Sequence, residues 1–168
     1  KNQKELLNSA KDFSENVMIV DLVRNDLSRI AKKGTVKVEE LAVLYTYRDV
    51  HHLISTISCE LGKNNTISDI IRASFPMGSM TGAPKIRAME LIEKFEHTLR
   101  GIYSGSIGYI EPNKDFDFNV VIRSVFYNQQ SQYLSFIVGG AITIDSDPEL
   151  EYEECLLKAK SIFQVLSV

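Results

Sequence analysis

The order of sequence elements predicts an α+β fold, an antiparallel β-sheet with flanking helices. Apolar residues recur at helical spacing near both ends of the chain. Between them lie β-forming runs separated by turn compositions. Helices and strands come in blocks, not in the strict alternation that a doubly wound parallel sheet requires.

Residues 3–31 read as one long helix, because Leu6, Ala10, Phe13, Val17 and Val20 recur at three- and four-residue spacing. Val17–Val23 is apolar nearly all round apart from Asp21, which predicts that this part is buried. Lys32-Lys33-Gly34 ends it with a basic turn and a glycine stop. Val36–Tyr47 and His51–Glu60 follow as strand candidates. Asn64-Asn65 marks a turn, and Thr66 or Ser68 caps a short helix that stops by Phe75, before Pro76. Pro76–Gly82 is a loop of small residues, and Pro84 suits the first position of a helix reaching about Phe95. Tyr103–Ile110, Phe116–Tyr127 and Tyr133–Ile144 then read as an antiparallel meander. Pro148 opens a last helix to about Leu166, with Glu149, Glu151, Glu153 and Glu154 in its early turns, where the helix dipole favours acids.

Composition narrows the function. The 168 residues fit one domain. With 19 basic and 22 acidic residues the net charge is −3, which argues against nucleic acid or an anionic membrane as the main partner. Cys59 and Cys155 form no CxxC pair, and reduced thiols in a cytoplasmic protein are the simpler reading. No apolar run is long enough to span a bilayer, and Lys1–Asp12 is too polar for a signal peptide.

Several residues have the chemistry for a site. The loop Pro76-Met-Gly-Ser-Met-Thr-Gly-Ala-Pro-Lys85 opens a helix, so Ser79 and its backbone neighbours face positive potential that favours an anion. The spacing is not that of a Walker loop, and a tight cap is the competing reading. Asp12 and Glu15 stand three apart on the first helix, as do Glu151 and Glu154 on the last. Each pair shares a helix face, and four such carboxylates together would call for a hard dication such as Mg²⁺. Solvated surface acids are the plainer alternative. Tyr103 and Arg123, on different strands, can grip a carboxylate, Arg123 through its planar fork. A structural ion pair competes for Arg123. Gly139-Gly140 in an apolar strand is read as close backbone approach or as a bulge. His51-His52 opens a strand and offers a general acid or a packed polar ring.

Taken in order, six stretches form a pattern: Glu15-Asn-Val-Met-Ile-Val-Asp-Leu-Val-Arg-Asn-Asp-Leu27; His52-Leu53; Gly78-Ser-Met-Thr-Gly-Ala-Pro-Lys-Ile-Arg-Ala-Met-Glu90; Arg100-Gly-Ile-Tyr-Ser-Gly-Ser-Ile-Gly-Tyr109; Val121-Ile-Arg123; and Asp145-Ser-Asp-Pro-Glu-Leu-Glu-Tyr-Glu-Glu154. Together they resemble the chorismate-binding enzymes, from near residue 5 to near residue 165. The resemblance implies the C-terminal part of the anthranilate synthase component I-like fold. Phe75-Pro-Met-Gly-Ser-Met-Thr-Gly82 and Glu15-Asn16 are most similar to the branch that aminates chorismate to 4-amino-4-deoxychorismate, on the way to para-aminobenzoate and folate. Anthranilate and isochorismate synthases are the enzymatic alternatives, and a Mg²⁺- or anion-binding module without turnover is a third.

Roles follow by position in the resemblance. Glu15 and Glu154 stand where Mg²⁺ ligands are expected, with Asp12 and Glu151 as supporting acids. Ser79 and the Gly139-Gly140 backbone would hold the ring carboxylate of chorismate, with Lys158 nearby. Tyr103 and Arg123 would hold the enolpyruvyl carboxylate, and His52 would lie near the departing ring hydroxyl. Ammonia would come from a glutamine amidotransferase subunit or domain. Two departures stand out. Ala141 replaces the last glycine of a Gly-x-Gly strand. The lysine nucleophile of a Pro-Ile-Lys-Gly-Thr motif is expected before Lys1, so this stretch alone is expected to bind without turnover.

Overall fold

The computed structural model describes residues 3–48, 50–144 and 146–166. Asp145, which opens the last motif, lies outside them. The chain divides into two compact units, Lys1–His97 and Thr98–Val168.

The first unit is built on a helix laid over a β-hairpin. The helix expected over residues 3–31 is two, α1 (Gln3–Leu7) and α2 (Ala10–Ser28). Ser9 makes the break: its backbone is extended, and its hydroxyl accepts the Asp12 N–H at 3.3 Å. A serine competes for backbone groups inside a helix and is better placed capping one. β1 (Lys37–Thr46) and β2 (His51–Ser58) pair antiparallel, Thr46 opposite His51 and Lys37 opposite Ser58. The register shifts between Glu40 and Val43. There Ala42 takes φ +49°, and its N–H turns to the Ser55 hydroxyl at 2.8 Å. α2 packs on both strands, with Val20 buried at 5% exposure.

α3 (Ile67–Ser74) starts at Thr66 with a reciprocal capping box: the Thr66 hydroxyl accepts the Asp69 N–H, and the Asp69 carboxylate accepts the Thr66 N–H. A 3₁₀ turn, Gly78–Met80, precedes α4 (Lys85–Phe95), where Pro84 is the cap rather than the first helical residue. Gly78 is buried, and a Cβ there would stand 3.0 Å from Leu22 Cβ, so glycine lets this turn lie directly on α2.

In the second unit, β3 (Ser106–Ile110) pairs with β4 (Phe116–Val120), and β5 (Phe126–Asn128) with β6 (Tyr133–Ser135). The expected meander is therefore two separate hairpins. The Phe116–Tyr127 strand is broken because Arg123 adopts φ +52°, which turns the chain out of the ladder. The strand expected over Tyr133–Ile144 ends at Ser135, and Gly139-Gly140 lies in irregular chain, not in a strand. α5 (Pro148–Leu166) matches expectation and buries Ala159 and Ile162. Asp147 caps it, its carboxylate accepting the N–H groups of Glu149 and Leu150 at 3.0 Å. Among the described residues no helix is long and apolar enough to cross a membrane, and both cysteines are free.

Candidate chorismate site

In the first unit, α2 carries Asp12 and Glu15, β2 carries His52, and the 3₁₀ turn carries Ser79. Glu15 is partly buried, with Lys11 Nζ 3.9 Å from Oε1. Its neighbour Asn16 locks α2 to β2. The Asn16 amide donates to the Leu53 carbonyl at 3.2 Å, and its oxygen accepts the Ser55 hydroxyl. Leu53 directly follows His52, so one side chain fixes the spacing between the Glu15 turn and the His52 strand. The His52 ring meets Tyr47 edge-on, centroids 6.3 Å apart. Ser79 is exposed.

At the far end of α2, Asp26 is 5% exposed and forms an ion pair with Lys85, the first residue of α4. A cleft of about 800 Å³ runs beside this pair, lined by Phe13, Val17, Asp21, Asn25 and Ile86 among others. Asn16, Asp26 and Lys85 all lie within the quoted motifs, but nothing in their spacing announces these contacts.

The second unit gathers six of the expected residues. The Gly139 carbonyl accepts Lys158 Nζ at 2.9 Å, and the same ammonium sits 2.8 Å from Glu154 Oε1. A Cβ on Gly139 would stand 3.0 Å from the Tyr103 hydroxyl, and one on Gly140 would stand 3.1 Å from Glu151 Oε2. The two glycines thus let Tyr103 and Glu151 approach one stretch of backbone, to whose Gly139 carbonyl Lys158, paired with Glu154, also bonds; this is close approach rather than sheet bending. Glu151 is 5% exposed and accepts the Ser146 hydroxyl at 2.8 Å on its other oxygen. Ser146 was not among the expected residues, and only its place in the last motif marks it. Ala141 is exposed.

Tyr103 and Arg123 are not on strands. Tyr103 lies in the turn before β3, and Arg123, exposed, lies after β4. Their segments are nonetheless joined: the Ser104 N–H donates to the Val121 carbonyl at 2.9 Å, and the Val121 N–H to the Gly105 carbonyl at 3.0 Å. Among the described residues of either unit, no three His, Cys, Asp or Glu side chains cluster as a metal-binding group.

The chorismate binding enzyme model matches residues 1–164. This chain belongs to the chorismate-binding enzyme family. It is 46% identical to aminodeoxychorismate synthase component 1 of Salmonella typhimurium, over 97% of this chain and 36% of that one. It is 41% identical to anthranilate synthase component 1 of Mycobacterium tuberculosis, over 98% of this chain and 32% of that one. Among solved structures it superposes on anthranilate synthase component I from Streptococcus pneumoniae TIGR4 with a TM-score of 0.80 and 36% identity, covering 94% of this chain and 36% of that one. The expected α+β class is the class observed, with the antiparallel strands of the described residues falling in small two-stranded sheets. The chain spans about a third of the length of these bacterial relatives.

Proposed function

We propose that this member of the chorismate-binding family serves the amination of chorismate to 4-amino-4-deoxychorismate, with ammonia supplied by a glutamine amidotransferase. The observation that carries the reading is the approach of Tyr103 and Glu151 to the Gly139-Gly140 backbone, with Lys158, paired to Glu154, bonded to the Gly139 carbonyl. Chorismate is a dianion with two carboxylates; the segment presents a phenol and a lysine, and its Glu151 and Glu154 carboxylates would need a cation between them and the substrate. Arg123 adds a planar fork for the enolpyruvyl carboxylate alongside Tyr103. Ser79, on an exposed turn, is assigned to the ring carboxylate with the glycine backbone. His52 is assigned to the departing hydroxyl, to which it would give a proton as water leaves.

Mg²⁺ suits the oxygen-only donors assigned to it, Glu15 and Glu154 supported by Asp12 and Glu151. The buried Glu151 carboxylate, oriented by Ser146, fits a supporting place beside a hard cation. When bound, the ion would neutralise carboxylate charge and polarise the substrate.

The greater identity to the aminodeoxychorismate relative, 46% against 41%, favours this product. The anthranilate relative supports a second reading in which the same site feeds anthranilate formation. Incubating the full-length protein with chorismate, Mg²⁺ and ammonia distinguishes them by product. Aminodeoxychorismate is expected; anthranilate would replace the first reading with the second, and unconsumed chorismate would overturn both.

A further inference from the structure

We infer that Asp26 is a positioning residue for the Ser79 turn, acting through its ion pair with Lys85. The inference rests on the assignment of Ser79 to a chorismate carboxylate. α4 begins poorly by itself: Pro84 gives no side-chain cap, and there is no acid in the first turn. Its first residue is instead a lysine, whose charge opposes the positive end of the helix dipole. Asp26, reaching from α2, supplies the missing negative charge in a setting where the two side chains are only 7% and 16% exposed. A charge-assisted bond between partners so shielded from water fixes direction as well as distance.

A second contact, one helical turn away, makes this a clamp. Leu22 and Asp26 are four residues apart on α2; Leu22 receives buried Gly78, and Asp26 receives Lys85. The Ser79 loop is therefore anchored at both ends on adjacent turns of a single helix, leaving Ser79 exposed between them. Glu15 shares that face: at about 100° per residue, Leu22 and Asp26 each lie within about 20° of it around the axis. The helix that carries one assigned metal ligand thus also sets the place of the residue assigned to the substrate carboxylate. Loss of the Asp26–Lys85 bond would let α4 and the turn shift without touching Ser79 itself.

The test uses the full-length enzyme with ammonia as donor, measuring chorismate KM, kcat and the thermal midpoint. Asp26→Asn is expected to raise KM about tenfold while kcat changes less than about threefold, the signature of a displaced binding group. The paired variant Asp26→Leu with Lys85→Met separates positioning from packing. Replacing a buried ion pair by apolar groups commonly restores stability, so its midpoint should return to that of the parent while KM stays high. Return of both midpoint and KM, or unchanged KM in Asp26→Asn, would overturn the inference. Failure of the parent enzyme to consume chorismate would instead overturn the reading beneath it, and the inference with it.

Discussion

In the first unit polar side chains reach across long stretches of sequence, 37 residues from Asn16 to Leu53 and 59 from Asp26 to Lys85. In the second unit the corresponding tether, Lys158 to Gly139, spans 19 residues and is partly open to water. Exposure differs in the same sense. The β1–β2 hairpin is half-covered by α2, whereas β3 is exposed along its whole length. Shielded anchors hold the residues assigned a role in the first unit, and a backbone stripped of side chains at two glycines admits those assigned in the second. A buried anchor fails steeply when cut, because the partner left behind cannot return to water; an exposed one fails gently.

Four substitutions put that contrast at risk. Lys85→Met should be the most damaging, destabilising the protein by about 3–5 kcal/mol in urea unfolding, since it strands the Asp26 carboxylate. Asn16→Ala should cost about 1–3 kcal/mol, leaving the Leu53 carbonyl and the Ser55 hydroxyl without it. A loss below a few tenths would mean that the Asn16 bonds do not hold α2 on the hairpin. Thr66→Ala should cost about 1 kcal/mol by removing a helix cap.

The Thr66 cap also carries a pH signature. Side-chain and backbone hydrogen bonds from Thr66 hold the Asp69 carboxyl below its usual range. Its contribution is therefore complete above the ordinary carboxylate value of about 4 and is lost as pH falls through the lowered folded value. Thr66→Ala should flatten that acid limb in a pH series of unfolding curves. Lys158→Met should have the smallest effect on stability, about 0–1 kcal/mol, because its ion pair with Glu154 is partly exposed. If it destabilised as much as Lys85→Met, the contrast between the two units would collapse.

The parts legible in the sequence are those fixed by local chemistry. Thr66 was one of two cap candidates for α3, with Ser68, and Pro148 announces α5. The β1–β2 hairpin was readable from its β-formers. Ser9 escaped because one polar residue does not disturb a helical apolar period. The break at Arg123 escaped because neither glycine nor asparagine marks its positive φ. The glycine segment was recognised as close approach or bulge, but its apolar composition imitated a strand. The Asp26–Lys85 contact joins two motifs whose spacing follows from tertiary packing, on which one-dimensional periodicity is silent.

The bulge in β1 has one more consequence, for the protein's slow motions. The Ala42 N–H has left the ladder for the Ser55 hydroxyl, and that hydroxyl is itself held by Asn16 on α2. Exchange of this amide hydrogen with solvent is therefore coupled to the lifting of α2 from the hairpin, while its neighbours in the ladder exchange as the strands separate. A single backbone proton on an outer strand thereby becomes a clock for the undocking of the helix that bears Glu15.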